Sequence, residues 1–298
     1  MSATPHKEKL DAALRNPKCS DQDRDLLSQA SAFYSEWREK TAALTATGAD
    51  KVREMTDLLN EYKDRLEVEL IARDGSPFIR RQKGQLKLDN SVLEEFLILL
   101  VDSKVISRLP DNLALTIGPT RAFMSLSFNP ANLAALGKKP DIVLKLKDQD
   151  FIIGKDIHYK FSPDPAFPDA VTASGFVPLA VLAAECKVNL DKTMFQEAAG
   201  TAARLKQGCP HAQYYVLNEY LDMSPEDCRL TAVDNVYLLR HAKRLPFEKR
   251  NVYDEVRRQR DAHPIDPEVV LKFVENIETF VNAVWYDPDA ALTRGSFV

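Results

Sequence analysis

The chain has 298 residues, 45% of them hydrophobic and 28% charged, with a formal net charge of −4. That balance is globular, with material for one large domain or two ordinary ones, and it excludes a disordered or uniformly basic chain. No apolar run reaches the ~18 residues of a membrane helix, the N-terminus lacks a secretory apolar stretch, and the four cysteines form no CxxC pair; the expectation is a cytoplasmic protein with reduced thiols and no membrane partner.

Met55, Leu58, Leu59, Tyr62, Leu66 and Leu70 recur at helical spacing, so residues 1–72 read as an N-terminal helical region, helical from about Asp21, with His6 in a loose tail at its start. Gly75, Pro77 and Gly84 break the next stretch into a basic loop, and a helix is predicted over 92–105, N-capped by Asn90 or Ser91. Beyond Pro110 the spacing becomes that of strands, in TRAFMSLSF, DIVLKLK, FIIGKDIHYKF and VPLAVLAAECKV. Asp191 then caps a helix over KTMFQEAAGTAARLK, with Leu190 and Phe195 as a hydrophobic staple. QYYVLNEYL and NVYLLR are two more strands, and an amphipathic helix starts near Pro267. This order predicts an α/β (α+β) fold, a core over 73–262 with helical additions on both sides, the last over 263–298.

Strand alternation puts Glu185 and Lys187 on one face at the end of an apolar run, with Cys186 on the other. The pair is either a simple ion pair or half of a metal-dependent phosphodiester site, and the triplet alone does not decide. Glu61-Tyr62-Lys63 repeats it in a helix, where positions two apart do not face each other. Of five Pro-Asp pairs only Pro140-Asp141 opens a strand upstream. In the metal reading, Asp141, Glu185 and the Cys186 carbonyl hold Mg²⁺, an ion that prefers oxygen and keeps several waters, while Lys187 orients the nucleophile or stabilises developing charge.

The longer stretch ECKVNLDK, followed by AARLKQGCPHAQYYVLNEYLDMSPED and VDNVYLLR, resembles the BbvCI-like type II restriction endonucleases of the PD-(D/E)xK nuclease superfamily, over about residues 93–240. The resemblance implies a mixed central sheet flanked by helices, Mg²⁺-dependent cleavage of double-stranded DNA at a short specific sequence, and one active site per subunit. It implies a homodimer or a heterodimer with a sibling subunit. It carries catalytic roles onto Asp141, Glu185 and Lys187, and an accessory role onto Glu95 in LEEFL, with Glu94 as its neighbour.

Two basic stretches suit a DNA backbone. The first holds Arg73, Arg80, Arg81, Lys83 and Lys87, with Gln82 offering an adenine-reading amide, and is the preferred recognition loop; the second runs from Lys243 to Arg260. Lys192 and Gln196 are further candidates for phosphate contact. No Walker-type phosphate loop or dinucleotide fingerprint is present. A repair nuclease on the same fold and an inactive DNA-binding partner subunit are the rival readings.

Overall fold

The computed structural model describes residues 3–80, 88–106, 109, 113–283 and 288–295. Helix α1 (Pro5–Leu14) opens on a proline, where the missing N–H costs nothing. Helix α2 (Asp21–Ala42) opens on a capping box, Ser20 accepting from the Asp23 N–H and Asp23 accepting from Ser20 in return. Helix α3 (Gly48–Lys63) passes directly into a π-helical stretch, Asp64–Asp74. Helix α4 (Leu88–Leu100) is almost entirely buried. The helix predicted over 92–105 therefore starts earlier and stops at Leu100. Asn90 and Ser91, read as caps, lie inside it, and Asp102 turns the chain by accepting from the N–H groups of Lys104, Val105 and Ile106. Of the proposed recognition loop, Arg81, Gln82, Lys83 and Lys87 lie outside the described residues.

Five strands follow: β1 (Thr116–Phe128), β2 (Ile142–Phe161), β3 (Ala173–Leu190), β4 (Gln213–Leu221) and β5 (Asn235–Lys243). They form one sheet in the order β1-β2-β3-β4-β5. The β1–β2 and β2–β3 pairs are antiparallel; β3–β4 and β4–β5 are parallel, and α5 (Lys192–Gly208) makes the crossover between β3 and β4. This is the mixed sheet flanked by helices that the sequence implies. Asp191 caps α5 by accepting from Met194 N–H, as expected.

DIVLKLK and FIIGKDIHYKF, read as two strands, are one. The polar residues between them, Asp148 and Gln149, continue the ladder opposite Arg121 and Thr120. The register then jumps between Thr120↔Gln149 and Gly118↔Ile152, so that Asp150 and Phe151 together oppose Pro119 in a bulge. Gly118 serves it with φ +116°, a conformation other residues rarely adopt. A second irregularity follows at Ile153/Gly154 in the β2–β3 pairing. Between them β2 bends so far that Phe128, beside its first residue, and Phe161, its last, bring their rings to 5.3 Å.

One face of the sheet packs against α4 and α7 (Pro267–Asn282), and the N-terminal helices join that same core through residues such as Leu10, Trp37 and Leu59. The opposite face packs against α5 through Phe195, Ala198, Ala202 and Leu205. Helix α6 (Tyr253–Ala262) was not foreseen; a short helix α8 (Pro288–Arg294) comes last.

Much of the second basic stretch is ion-paired in and around helix α6. Arg250 faces Asp222, Arg257 faces Glu69 and Asp261, and Arg258 and Lys249 face Glu255. Arg260 enters a fully buried cluster at the ends of β4 and β5. There Glu219 pairs with Lys63 (2.9 Å), Arg240 (2.6 Å) and Arg260 (3.1 Å), and Glu67 pairs with Lys63 (2.5 Å) and Arg260. Arg240 reaches Glu219 because β5 is irregular beyond Leu238, with His241 at φ 47°.

Candidate active site

Glu185 and Lys187 share one face of β3, as alternation requires, and their side chains meet at 2.6 Å. Cys186 between them is fully buried on the α4 side. The β2–β3 ladder stops at Phe151↔Ala184, so one further step puts Asp150 opposite Glu185. There Asp150 Oδ2 accepts the Cys186 N–H at 3.0 Å. Tyr214, from β4, donates its hydroxyl to Glu185 Oε2 at 2.9 Å. Asp150, Glu185, Tyr214 and Thr201 line one cavity of about 30 Å³, with Lys147, Asp148 and Gln149 at its edge.

The electrostatics follow from this crowding. Burial works against the Lys187 ammonium, but the Glu185 carboxylate, with help from Asp150, raises its pKa on balance, so Lys187 stays charged. Burial and then Glu185 push the Tyr214 phenol upward, which keeps it a hydrogen-bond donor. The Cys186 thiol is pushed well up, first by burial, then by Asp150 and Glu94, leaving its backbone as its polar contribution to the site.

The predicted residues separate into two sets. Glu185, Lys187 and Cys186 are at the site. Asp141 is not: it lies just outside β2 where the strand begins, exposed, its carbonyl accepting from Asn129 N–H. It precedes Asp150 by nine positions, ~30 Å of extended strand. Asp150 occupies the place assigned to it. Glu95 also lies elsewhere, fully buried among the N-terminal helices. Its Oε1 accepts from Tyr34 (2.6 Å) and Arg38 (2.6 Å), its Oε2 from the N–H groups of His6 (3.0 Å) and Lys7 (3.4 Å). Its neighbour Glu94 is the α4 acid on the Cys186 side, steadied by Asn90 at 3.2 Å. Lys192 is exposed and pairs with Glu226 at 3.3 Å; Gln196 is exposed on α5, and Arg80 is exposed with its guanidinium on the Ala72 carbonyl. Asp150, Tyr214 and Glu94 are the residues that sequence reasoning missed.

His6, assigned to a loose tail, is instead fully buried in α1, between Ser91 (2.8 Å) and the Tyr62 hydroxyl (2.5 Å). Burial, and then the Lys63 ammonium, push its pKa from 6.5 down to about 3. Folding therefore excludes a proton that the unfolded chain binds below pH ~6.5, and stability falls with pH from there towards 3 by up to about 1.4 kcal/mol per unit. Denaturant midpoints at pH 7 and pH 5 should show this loss, and His6→Gln should lessen it.

Among the described residues no group of three or more His, Cys, Asp or Glu side chains is arranged to hold a metal unaided. Two carboxylates converging on a small cavity nevertheless fit Mg²⁺, which binds through one or two carboxylates, keeps waters and shares substrate phosphates.

The mixed sheet thus carries an Asp and a Glu-x-Lys pair on adjoining strands, beside the parallel crossover through α5. The family profile of the Bpu10I restriction endonuclease matches residues 85–297, and the chain belongs to that family. Among solved structures it is similar to the native BbvCI A2B2 tetramer at low resolution, with a TM-score of 0.56 and 17% identity over 93% of this chain and 95% of that one. No curated protein matches it. Among the described residues no helix is long and apolar enough to cross a membrane.

Proposed function

We propose that this chain is a type II restriction endonuclease that hydrolyses phosphodiester bonds in double-stranded DNA with Mg²⁺, at one active site per subunit. The observation that carries the reading is the convergence of Asp150 and Glu185, from paired strands, on one cavity with Lys187 bonded to Glu185. Asp150 and Glu185 offer carboxylate oxygens to the ion, and the Cys186 carbonyl, held in place by its own N–H on Asp150, offers a third ligand. When bound, Mg²⁺ supplies Lewis-acid polarisation of the scissile phosphate and lowers the pKa of a water to make it a nucleophile. Lys187, kept charged by its two acidic neighbours, orients that water or meets the charge that develops on the phosphate oxygens. Tyr214 fixes the Glu185 carboxylate while Lys187 turns to substrate. Glu94 supports the site from α4, and Lys192, Gln196 and Arg80 are offered to the DNA backbone.

Cutting a duplex takes two such sites. The BbvCI structure is an A2B2 tetramer, and we read this chain likewise as one subunit of an assembly with identical or sibling copies, working in the cytoplasm. Digestion of a sequenced plasmid in Mg²⁺ against EDTA should give discrete, sequence-defined cuts or strand-specific nicks that EDTA abolishes. Cutting that follows ends or junctions instead would move the protein to repair, and sequence-specific binding with no cut or nick in Mg²⁺ or Mn²⁺ would make it an inactive partner.

A further inference from the structure

Between the β1–β2 hairpin and α5 runs a groove of about 550 Å³. Its lining includes Lys145, Lys147 and Arg204, with Met124 and Leu146 as apolar wall and no carboxylate. Lys145 and Lys147 are alternate residues of β2 and so share a face, and Arg204 lies one helical turn beyond Thr201 on α5. Thr201 and Lys147 also border the cavity of Asp150 and Glu185, so the groove adjoins the site.

Elsewhere many basic groups have acidic partners: Lys40 has Glu36 and Glu61, Arg53 has Asp50 and Glu268, Lys206 has Asp234, and the α6 arginines are paired as described. Lys145, Lys147 and Arg204 are all exposed and have no carboxylate within ion-pair distance among the described residues. Like charges gathered in a cleft with apolar walls repel one another and focus a positive field. A polyanion strand relieves both, and a phosphodiester site stands at the groove's end.

We propose that this groove is the track of the DNA strand being cut, with Lys145, Lys147 and Arg204 holding backbone phosphates to one side of the scissile bond. The proposal rests on the nuclease reading of Asp150 and Glu185. It makes the three cations positioning residues: they fix where the strand lies relative to Glu185 and carry no base specificity.

The test is K145Q/R204Q, which spares Lys147 at the catalytic edge, with K145R/R204K as the charge-preserving control and Lys272→Gln on α7 as a distant charge control. Duplex DNA binding is measured in Ca²⁺ across a salt series. Each lost phosphate contact removes about 0.9 from the slope of log K against log salt, so the double variant should lose about 1.8. KM for cleavage in Mg²⁺ should rise while kcat stays near wild type, and both controls should keep the wild-type slope. Wild-type cleavage together with an unchanged slope and KM in K145Q/R204Q overturns the groove and leaves the nuclease reading standing. A wild-type protein that neither binds nor cuts DNA overturns both.

Discussion

Asp150→Asn should lower Mg²⁺-dependent DNA cleavage by three orders of magnitude or more, whereas Asp141→Asn should leave it within about twofold of wild type. A factor of a thousand is about 4 kcal/mol of transition-state stabilisation, a reasonable size for losing one of the two carboxylates proposed to hold the ion. The substitution is chosen to preserve the fold: an asparagine amide oxygen at 150 can still accept the Cys186 N–H that the aspartate now accepts at 3.0 Å. Loss of activity with an unchanged circular dichroism spectrum and a weakened Mn²⁺ titration would tie the effect to metal binding. The reverse outcome, an inactive Asp141→Asn and an active Asp150→Asn, would sink the assignment. Glu185→Gln and Lys187→Ala are expected to be inactive in the same assay.

Glu219→Gln should destabilise the protein by about 3–5 kcal/mol without touching the active site. The change leaves the volume of the side chain almost unaltered, so cavity formation is not at issue. It removes one of the two carboxylates that hold Lys63, Arg240 and Arg260 where all five side chains are buried. Taking away one partner of a buried ionic group leaves uncompensated charge in a medium that cannot solvate it, and that cost is of this order. The same loss at the surface, in Lys40→Gln, removes contacts to Glu36 and Glu61 that are wet and screened, and should leave stability close to wild type. Urea unfolding of the two variants side by side distinguishes them, and a Glu219→Gln midpoint close to that of Lys40→Gln would show that the cluster is not under electrostatic tension.

What the sequence made legible, and what it concealed, divides along one line. Features set by neighbours in the chain could be read: the Asp191 cap, the bounds of β4, and the common face of Glu185 and Lys187. Features set by register could not. Pro140-Asp141 is a local cue, but which acid meets Glu185 depends on how β2 pairs with β3 and on the bulge at Asp150. A usable signal was there in the change of character at Asp150, where the exposed half of β2 gives way to buried Phe151, Ile152 and Ile153.

Glu95 lies away from the cavity for a different reason. Helix α4 is buried nearly all round, so it has no polar face against which to judge which of two adjacent glutamates meets the sheet. The choice was made by tertiary partners 57 to 89 residues away, Arg38, Tyr34 and His6 among them. Of the acids interspersed in the 243–260 stretch, Glu255 did carry information, since it pairs with Lys249 and Arg258, but Arg250, Arg257 and Arg260 take partners from outside it.

The pleat of β3 has a consequence for how this site tolerates change. Odd positions there present the charged pair, Glu185 and Lys187, while even ones, Ala184 and Cys186, fill the interior beneath α4. A single inserted or deleted residue just upstream would exchange the two sets, sending a carboxylate and an ammonium into the core and a cysteine towards the cavity. Such a slip would fail by unfolding before it could fail by misplacing the glutamate. Point substitutions can therefore vary this site in evolution, but length changes in β3 are closed to it, and room for altered specificity must come from the loops and the curved arms of β2.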